Sequence, residues 1–418
     1  MKKLNVIDLF SGAGGLSEGF SQTGKYEFLA HVEWEHPMVE TLRSNLVDRW
    51  GYTEEDALKT VVQFDIQKTH ELINGEWSDE TKKMYEKYNH SLVVNKGLKG
   101  LIGENEVDII VGGPPCQAYS IAGRAQDPHS MKNDYRNYLF EGFVEVVKHF
   151  KPKVFVFENV PGMLSAKPGD RLVIERVYEA FKDIGYEIRK PKEMKKSVYT
   201  ASNFSVPQER RRVIIIGIRK DSNLELEDFY LSLDTYKSKG PKKTVRDAIG
   251  NMPKFRPLDK SYKSGRRNVS HELIGEQEIN LHEARYHNKR DIKVFYDWIS
   301  KNMNSYPTKQ KTDYYKKVTG KDTNHNKYRS LEWDKPSPTI VAHLHKDGLM
   351  FIHPDINQLR SITVREAALL QSFPLDFEFV GSNAYCFKMI GNAVPVLMAK
   401  AIANAIYKVL EVDKREKI

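Results

Sequence analysis

Residues 8–15 read DLFSGAGG, and this stretch decides the fold. The apolar run Val6–Phe10 predicts a β-strand, and glycines that include Gly12 and Gly14 follow it before an amphipathic segment that predicts a helix. Glycines allow the backbone to turn tightly, and the amide groups at a helix N-terminus are free to bind a ligand. The spacing differs from the complete G-x-G-x-x-G fingerprint, so alone it indicates a nucleotide-like ligand or a tight turn.

Five more apolar runs alternate with amphipathic stretches over the first 220 residues, which is typical of a parallel sheet flanked by helices. The predicted strands are Phe28–Glu33, Val61–Asp65, Asp108–Gly112, Val154–Glu158 and Val213–Ile218. The predicted helices are Tyr138–His149, Asp170–Ile184 and Val394–Leu410, and residues 70–106 predict a helical insertion between the third and fourth strands. The sequence therefore predicts an α/β fold.

The character of the sequence changes after Arg219. Residues 220–359 are rich in Lys, Asn, Tyr, Ser and Pro, whereas a helical pattern returns from Thr363. With 418 residues, the chain exceeds the usual size of one hydrophobic core. We therefore predict a first domain over 1–219, which contains the glycine loop, a second, smaller domain over 220–359, and a C-terminal segment, 360–418, that returns to the first domain.

The positive charge of the chain is concentrated in one segment. The chain has 65 basic and 56 acidic residues, and residues 236–270 alone hold 11 Lys or Arg against 2 Asp or Glu. Such a block indicates a polyanionic partner bound with release of counterions, and a solvated basic loop is the alternative. The candidate contacts in this segment are Lys242, Lys243, Arg266 and Arg267.

The composition disfavours several other classes of protein. Apolar residues make up 40% of the chain and charged residues 29%, which is typical of a globular protein rather than a disordered one. No apolar run approaches the roughly 18 residues of a membrane span, and the N-terminus lacks the pattern of a signal peptide. Since there are only two cysteines, we expect neither a disulfide framework nor a cysteine-rich zinc site, and we predict a cytoplasmic protein without a metal.

Acidic residues end the second and third predicted strands. Glu33 lies about 20 residues after the glycine loop, where a carboxylate can accept hydrogen bonds from ribose hydroxyls. Asp65 can accept a hydrogen bond from an adenine amino group. Because the carboxyl ends of parallel strands meet at one edge of a sheet, these acids and the glycines indicate an adenosine-containing cofactor. Solvated acids at strand ends are the alternative for either residue taken singly.

The segment GGPPCQAYS, residues 112–120, follows the fourth predicted strand. Its prolines fix the backbone and hold Cys116 in a rigid turn above the sheet edge. A structural cysteine is more often a small apolar residue within a core pattern, so this position indicates a reactive thiol. Polar residues such as Ser120 and Arg124 follow, as expected of a loop that closes over a substrate.

The segment KVFVFENV, residues 153–160, ends the fifth predicted strand in Glu158. A carboxyl group in this place can act as a general acid, or it can form a buried salt bridge with an arginine. Arg210 and Arg212 alternate along the start of the next predicted strand, so we expect both to face one side. The two interpretations are compatible, since an arginine can orient the glutamate and also contact the substrate.

Taken in order, these motifs resemble those of the C5-specific DNA cytosine methyltransferases of bacterial restriction–modification type. The matching motifs are DLFSGAGG, GGPPCQAYS, DYRNYLF (134–140), ENV (158–160), PQERRR (207–212), RSITVREAALLQSFP (360–374) and GNAVPV (391–396). The resemblance implies a Rossmann-like, S-adenosylmethionine-dependent methyltransferase domain. The variable block between PQERRR and RSITVREAALLQSFP is where this family carries its smaller target-recognition domain.

The resemblance also implies the roles of individual residues. Cys116 is expected to attack C6 of a cytosine flipped out of duplex DNA, and Glu158 is expected to protonate the ring. Arg212, with Arg210 as a second contributor, is expected to orient the base and the glutamate. The expected cofactor contacts are Phe10, Gly12, Gly14, Glu33, Trp34, Asp65, Ile66, Pro114, Leu139, Asn392 and Val394. Further DNA contacts are expected from Gln117, Ser120 and Arg124.

Three alternatives stay open at this point. The first is a tRNA cytosine-C5 methyltransferase of the same family. The second is a nicotinamide-dependent oxidoreductase, which the glycine loop and Glu33 also fit but which leaves PPCQ, ENV and PQERRR unexplained. The third is an inactive DNA-binding module, which the intact Cys116 and Glu158 disfavour. We expect a monomer that acts on duplex DNA, with a separate cognate restriction endonuclease as a candidate partner.

Overall fold

The computed structural model describes residues 3–115, 139–346 and 348–416. The strands are Leu4–Leu9 (β1), Tyr26–Glu33 (β2), Val61–Gln63 (β3), Ile109–Gly112 (β4), Val154–Asn159 (β5), Tyr186–Glu187 (β6), Val198–Thr200 (β7), Gln208–Glu209 (β8), Arg211–Arg219 (β9), Phe255–Ser264 (β10), Arg267–Leu273 (β11) and Ser337–Pro338 (β12). The α-helices are Gly15–Ser21 (α1), His36–Trp50 (α2), Glu54–Thr60 (α3), Thr69–Asn74 (α4), Asp79–Tyr85 (α5), Ser91–Ile102 (α6), Leu139–Phe150 (α7), Val173–Asp183 (α8), Leu226–Thr235 (α9), Val245–Ile249 (α10), Lys289–Ser300 (α11), Thr308–Thr319 (α12), Val364–Leu370 (α13), Asn383–Asn392 (α14) and Val396–Glu416 (α15).

An eight-stranded sheet organises the first half of the chain, in the order β3-β2-β1-β4-β5-β9-β6 with β7 also paired to β9. The five strands from β3 to β5 are parallel, and β9 runs antiparallel to β5. The central strands β4 and β5 are buried along their whole length, which is typical of strands with helices on both faces. The carboxyl ends of the parallel strands therefore meet at one edge.

Helices cover both faces of this sheet. On one face, Leu4 and Val6 of β1 share a hydrophobic core with residues of α1, α9 and α15. On the other face, Ile7 and Leu9 share a core with residues of α4, α6, α7 and α8. This division follows from the alternation of side chains along a strand. The result is a three-layered α/β arrangement with the sheet in the middle.

The predicted α/β fold is confirmed, and each of the six predicted strands is present with its ends shifted by no more than two residues. One part of the prediction is wrong, because the last of these strands, β9, is antiparallel to its neighbour β5. Apolar periodicity identifies a buried strand but carries no information about its direction. The helices predicted at 138–149, 170–184 and 394–410 correspond to α7, α8 and α15.

The insertion over residues 70–106 is helical, as predicted, and it covers the edge of the sheet. The side chain of Asn89 accepts a hydrogen bond from the backbone amide of Gln63 in β3, at 2.8 Å, and donates one to the Gln63 carbonyl, at 2.9 Å. Arg43 donates to the carbonyls of Val61 and Tyr88 and so ties the insertion to the same strand. These bonds occupy polar backbone groups that an edge strand otherwise leaves unpaired.

The second half of the chain adds two smaller cores. One joins α10 and Ile340 to α13 and α14. The other is built around Phe295 and Trp298 of α11, with Tyr328. The strands β10 and β11 form a hairpin whose tip, residues 264–267, is exposed. The domain boundaries at 219 and 359 stay predictions. Contacts cross both of them, because α9, which follows residue 219, packs on the sheet, and α13, which follows residue 359, packs against α10.

The segment Asn383–Glu411 is long and apolar enough to cross a membrane by length and composition alone. Within the protein, however, 72% of its most apolar window is buried. Its residues Met398, Ile402 and Ile406 belong to the core on one face of the sheet. We therefore interpret it as a core element of the fold.

Candidate active site

A cavity of about 360 Å³ opens at the carboxyl edge of the parallel strands, and its volume is within the range of small-molecule sites. Its walls come from the loop after β1, the end of β2, the turn after β3, the loop after β4, the end of β5 and the segment 388–394. The structure brings together ten of the eleven predicted cofactor residues in these walls: Phe10, Gly12, Glu33, Trp34, Asp65, Ile66, Pro114, Leu139, Asn392 and Val394. Gly14 is not among the lining residues.

The glycine loop of the first motif, DLFSGAGG, lies against the last motif, GNAVPV. Gly12 and Gly14 have φ angles of 56° and 89°, which favour glycine, and Gly14 is the N-cap of α1. A Cβ atom on Gly15 would lie 2.4 Å from the carbonyl oxygen of Val394, so a larger residue does not fit there. This close approach places Val394 in the cavity wall beside the loop.

Glu33 is held at the cavity wall by backbone amides. Its Oε2 accepts a hydrogen bond from the amide of Gly12 at 2.8 Å, and its Oε1 accepts from the amides of Trp34 at 2.8 Å and Glu35 at 3.0 Å. Burial raises the pKa of Glu33 to about 7, although these amides lower it in part. The carboxyl group therefore changes protonation near neutral pH. The neighbouring Trp34 is 50% exposed and also lines the cavity.

Asp65 lies at the turn that follows β3, two residues beyond the end of the strand. It caps a short 3-10 turn by accepting a hydrogen bond from the amide of Gln67 at 3.0 Å, and the Gln67 side chain donates to it at 3.1 Å. The next residue, Ile66, is buried. Both residues line the cavity, so the turn presents a carboxylate and an apolar side chain to the same space.

Glu158 and Arg212 form an ion pair in the wall of this cavity. The Nε of Arg212 lies 2.7 Å from Oε1 of Glu158, and only about a tenth of either side chain is exposed. A Cβ atom on Gly113 would lie 2.7 Å from Oε2 of Glu158, so the glycine lets the proline-rich loop pass beside the carboxylate. Asn159 donates to the carbonyl of Pro114 at 3.3 Å and ties this loop to β5.

The predicted nucleophile Cys116 lies outside the described residues, as do Gln117, Ser120 and Arg124. Pro115, which precedes Cys116, lines the cavity together with Glu158. The described part of this loop therefore reaches the cavity at Pro115, the residue before the cysteine.

Arg210 occupies a different place from the one that the alternation indicated. It precedes β9, which begins at Arg211, so it is not part of the alternating strand. Its side chain is fully buried, and its guanidinium donates to the carbonyls of Ile340 and Gly391, each at 2.9 Å. Arg210 is not among the residues that line the cavity. We therefore correct the prediction that it faces the same side as Arg212.

The charges of the cavity are unevenly paired. Among the described lining residues, two are basic: Arg212 pairs with Glu158, and Lys388 reaches the two carboxylate oxygens of Glu35 at 2.6 and 2.7 Å. Glu33 and Asp65 have no basic partner among the described residues that line the cavity. The lining therefore favours a cationic ligand over a pyrophosphate. Sequence reasoning missed Lys388 and Glu35, since no local pattern relates residues so far apart in the chain.

The predicted DNA contacts that the structure describes, Lys242, Lys243, Arg266 and Arg267, lie on the surface and do not line the cavity. Lys242 pairs with Glu209 at 2.6 Å, Lys243 with Asp247 at 3.4 Å, and Arg267 with Glu283 at 3.0 Å. Arg266 lies at the tip of the β10–β11 hairpin. The positive charge of this segment is thus partly neutralised.

A second basic region was missed by the sequence analysis. Residues 289–327 hold 10 Lys or Arg against 4 Asp or Glu. They include α11 and α12, and α12 has no buried residue. The total charge outside 236–270 does not reveal this local excess, because basic and acidic residues are equal in number over that part of the chain as a whole.

The chain is similar to several known proteins. The family model for C-5 cytosine-specific DNA methylases matches residues 4–75 and 64–408. Type II methyltransferase M.Bpa9945I of Bacillus paralicheniformis is 34% identical over 457 residues, which cover 97% of this chain and 99% of that protein. Type II methyltransferase M1.HphI of Haemophilus parahaemolyticus is 32% identical, covering 97% of this chain and 87% of that protein. The crystal structure of the S. pombe Dnmt2 methyltransferase has the same fold, with a TM-score of 0.54 at 15% identity over 98% of this chain and 99% of that one.

Proposed function

Since the chain belongs to the C-5 cytosine-specific DNA methylase family and is a DNA cytosine-C5 methyltransferase, we propose how its own residues divide the reaction. Glu158 and Arg212 hold the target cytosine, and Cys116 attacks it. The part of the cavity around Glu33 and Trp34 holds the methyl donor. One observation carries this proposal: the Glu158–Arg212 pair and the residues of the adenosine-type site line the same cavity.

The cavity fits S-adenosylmethionine as the donor. When bound, this cofactor supplies an electrophilic methyl group on a positively charged sulfur. In this proposal, Glu33 accepts hydrogen bonds from the ribose hydroxyls, and the exposed ring of Trp34, which also lines the cavity, packs against the adenine. Glu33 and Asp65, which have no basic partner among the described lining residues, favour a cation and disfavour the pyrophosphate of a nicotinamide dinucleotide. The oxidoreductase alternative is wrong, since the chain is a methyltransferase.

Cytosine C5 is too weak a nucleophile to accept a methyl group unaided. Covalent addition replaces one step with a high barrier by two steps with lower barriers. In our proposal, the Cys116 thiolate bonds to C6 while Glu158 gives a proton to ring N3, which makes C5 electron-rich. After C5 has gained the methyl group, water takes its hydrogen as a proton, and the C6–sulfur bond breaks with its electron pair returning to Cys116 as the thiolate. The N3 proton then returns to Glu158.

Arg212 orients the carboxyl group through these proton transfers. Its guanidinium is planar and permanently charged, so it keeps Glu158 in one position whether or not the base is bound. A nearby positive charge also favours a thiolate over a thiol, which helps the attack by Cys116. Arg210, which is tied to Ile340 and Gly391, acts at a distance from the base in this proposal.

The substrate is proposed to be duplex DNA with one cytosine flipped into the cavity, because C5 and C6 cannot be reached inside a stacked duplex. The basic hairpin and the basic helices α11 and α12 favour an extended polyanion over a small ligand. The tRNA alternative of the same family is the outcome to be tested against it. We further propose a monomer in the cytoplasm that serves as the methylase of a restriction–modification system, with the endonuclease as a separate protein.

The direct test uses the purified chain with isotope-labelled S-adenosylmethionine and either duplex DNA or tRNA. We expect label in DNA, and bisulfite sequencing of DNA from expressing cells should show one methylated sequence. Label in tRNA alone would reject duplex DNA as the substrate. Label in DNA with Cys116→Ala as active as the parent would reject the covalent mechanism while leaving the enzyme class intact.

A further inference from the structure

Three fully buried polar side chains, Gln208, Arg210 and Gln371, connect segments that are distant in the sequence. Gln208 and Arg210 belong to the segment just before β9, and Gln371 follows α13. None of the three lines the cavity. Burying a polar side chain costs free energy unless its hydrogen bonds are satisfied, so their partners show what they hold in place.

The side chain of Gln208 forms hydrogen bonds with two separate segments of the chain. Its Oε1 accepts a hydrogen bond from the backbone amide of Ile340 at 3.0 Å. Its Nε2 donates to the carbonyl of Leu370 at 3.1 Å and to Oε1 of Gln371 at 3.0 Å. The amide group of one side chain therefore joins the segment around 340 to the end of α13.

Gln371 and Arg210 extend these connections to the segment 390–393. Gln371 donates to the carbonyl of Ile390 at 2.7 Å, and Arg210 bridges the carbonyls of Ile340 and Gly391. A Cβ atom on Gly391 would lie 2.3 Å from the amide nitrogen of Ala342, so the two backbones are in direct contact. The segments around 340 and 391 cannot shift independently without breaking these bonds.

This hydrogen-bonded junction, formed by Gln208, Arg210 and Gln371, lies between the two regions that bind ligands in the proposed function. On one side, Ser337 and Pro338 of the region 220–359 pair with Gln208 and Glu209 as strands β12 and β8. On the other side, Asn392, Ala393 and Val394 line the cofactor cavity.

We propose that Gln208 is a positioning residue that couples DNA binding by the region 220–359 to cofactor binding at the wall 392–394. This inference rests on the proposed function. DNA that fixes the segment around Ile340 also fixes the cavity wall, because the junction joins them. Linkage requires the reverse effect as well, so the cofactor strengthens DNA binding by the same factor. The alternative is that the junction stabilises the fold and transmits nothing.

The test measures the Kd of S-adenosylhomocysteine by calorimetry, with and without a duplex that carries the site found by bisulfite sequencing. The variants are Gln208→Met, which keeps the side-chain length and removes its hydrogen bonds, and Gln358→Met as a matched control. Gln358 is also a buried glutamine of the region 220–359, and its side chain binds the amide of Phe255, the side chain of Asp355 and Nε of Arg360, none of which belongs to the junction.

We expect DNA to tighten S-adenosylhomocysteine binding by about fivefold or more in the parent and in Gln358→Met, as is usual for coupled sites. In Gln208→Met the same ratio should fall by about twofold or more, with some coupling retained through Arg210, and the Kd without DNA should change little. The melting temperatures of both variants show how much stability each has lost. If Gln208 has only a structural role, both variants should lose similar stability, and the ratio of the two Kd values should stay as in the parent.

An unchanged ratio in Gln208→Met, or no coupling in the parent, would overturn this inference. If Gln208→Met does not fold, Gln371→Met serves instead, because it leaves the bond between Gln208 and Ile340 and removes the bond to Ile390. It should show the same loss of coupling. Failure of the proposed function looks different, since the parent would then transfer no methyl group to any duplex DNA.

Discussion

The Nε of Arg212 lies 2.7 Å from Oε1 of Glu158 because β9 runs antiparallel to β5. In this register the beginning of β9 meets the end of β5, with Val213 opposite Asn159. A parallel strand would have carried Arg212 to the opposite end of the sheet. The strand direction that the sequence pattern did not reveal is thus what brings the arginine of PQERRR to the glutamate of ENV.

Removing the arginine should therefore affect both stability and activity. Arg212→Met leaves Glu158 nearly buried without its partner, and breaking such a pair costs about 3–5 kcal/mol. Arg212→Lys keeps the charge without the planar fork, so we expect a smaller loss of stability and a single-turnover methylation rate lowered by about 10–100-fold. Urea denaturation and rapid-quench methylation measure the two effects. Arg211→Met, at the exposed neighbouring position, should change neither, and equal effects in both variants would contradict the pairing.

Replacing the proposed nucleophile should separate chemistry from binding. Cys116→Ala is expected to abolish methyl transfer while the Kd for S-adenosylhomocysteine changes by less than about twofold, because the thiol is needed only for the covalent step. Duplex DNA with 5-fluorocytosine at the target should form a covalent complex with the parent, visible by denaturing electrophoresis. Cys386→Ala is the control, since Cys386 is buried away from the cavity and should leave the complex intact. A complex with Cys116→Ala would disprove the assignment.

Cofactor affinity should depend on pH through Glu33. Because burial raises its pKa to about 7, the carboxyl group becomes protonated as the pH falls below that value and is then a weaker acceptor for ribose hydroxyls, since hydrogen bonds to an ionised group are the stronger ones. We expect the Kd for S-adenosylhomocysteine to rise by up to about tenfold per pH unit below pH 7. Glu33→Gln should bind weakly with a flat profile over the same range. A profile in the parent that is equally flat would contradict this role.

Glu33 and the buried histidines should have opposite effects on the stability of the protein without ligands. The pKa of Glu33 is higher in the folded state than its usual value, so its contribution makes the fold more stable as the pH falls from about 7 towards 4.5. Burial lowers the pKa of His287 and of His353 to about 3. The unfolded chain therefore takes up protons at these histidines below about pH 6.5, and the fold loses stability as the pH falls further.

The loss from the histidines should approach about 1.4 kcal/mol per pH unit for each histidine. Urea denaturation between about pH 5 and 7.5 would show it. His353→Gln should reduce the slope, whereas replacement of the exposed His36 should not. Slopes that are the same for the parent and His353→Gln would rule out this source of acid lability.

The salt dependence of DNA binding should identify the basic residues that reach phosphates. Arg266, at the hairpin tip, has no acidic partner in the described part of the chain, and Arg266→Gln should lower the slope of log K against log salt by about 0.9 for each lost phosphate contact. Lys242→Gln should have a smaller effect because Lys242 already pairs with Glu209. Fluorescence anisotropy over a range of salt concentrations measures these slopes. Lys3→Gln, at a residue paired with Glu27, is the control, and equal slopes for all variants would exclude the hairpin.

Much of the site could be predicted from the sequence because its residues follow the ends of strands. Glu33 and Glu158 each close an apolar run, and the carboxyl ends of parallel strands necessarily meet at one edge. Other features depend on contacts that local patterns do not encode. The pairing of Lys388 with Glu35 joins α14 to the residue before α2, and Arg210 turns away from Arg212 to bind the carbonyls of Ile340 and Gly391.

The approach of Gly15 to Val394 has a consequence for how the enzyme is made. The residue that opens α1 is synthesised early, whereas the carbonyl that it contacts belongs to a segment near the other end of the chain. A growing polypeptide cannot complete the cavity wall before residues 392–394 have left the ribosome, and α15 must follow to cover α1. Contacts of such long sequence separation form late and slowly. Chains that stop before residue 392 therefore lack part of the wall of the proposed donor site.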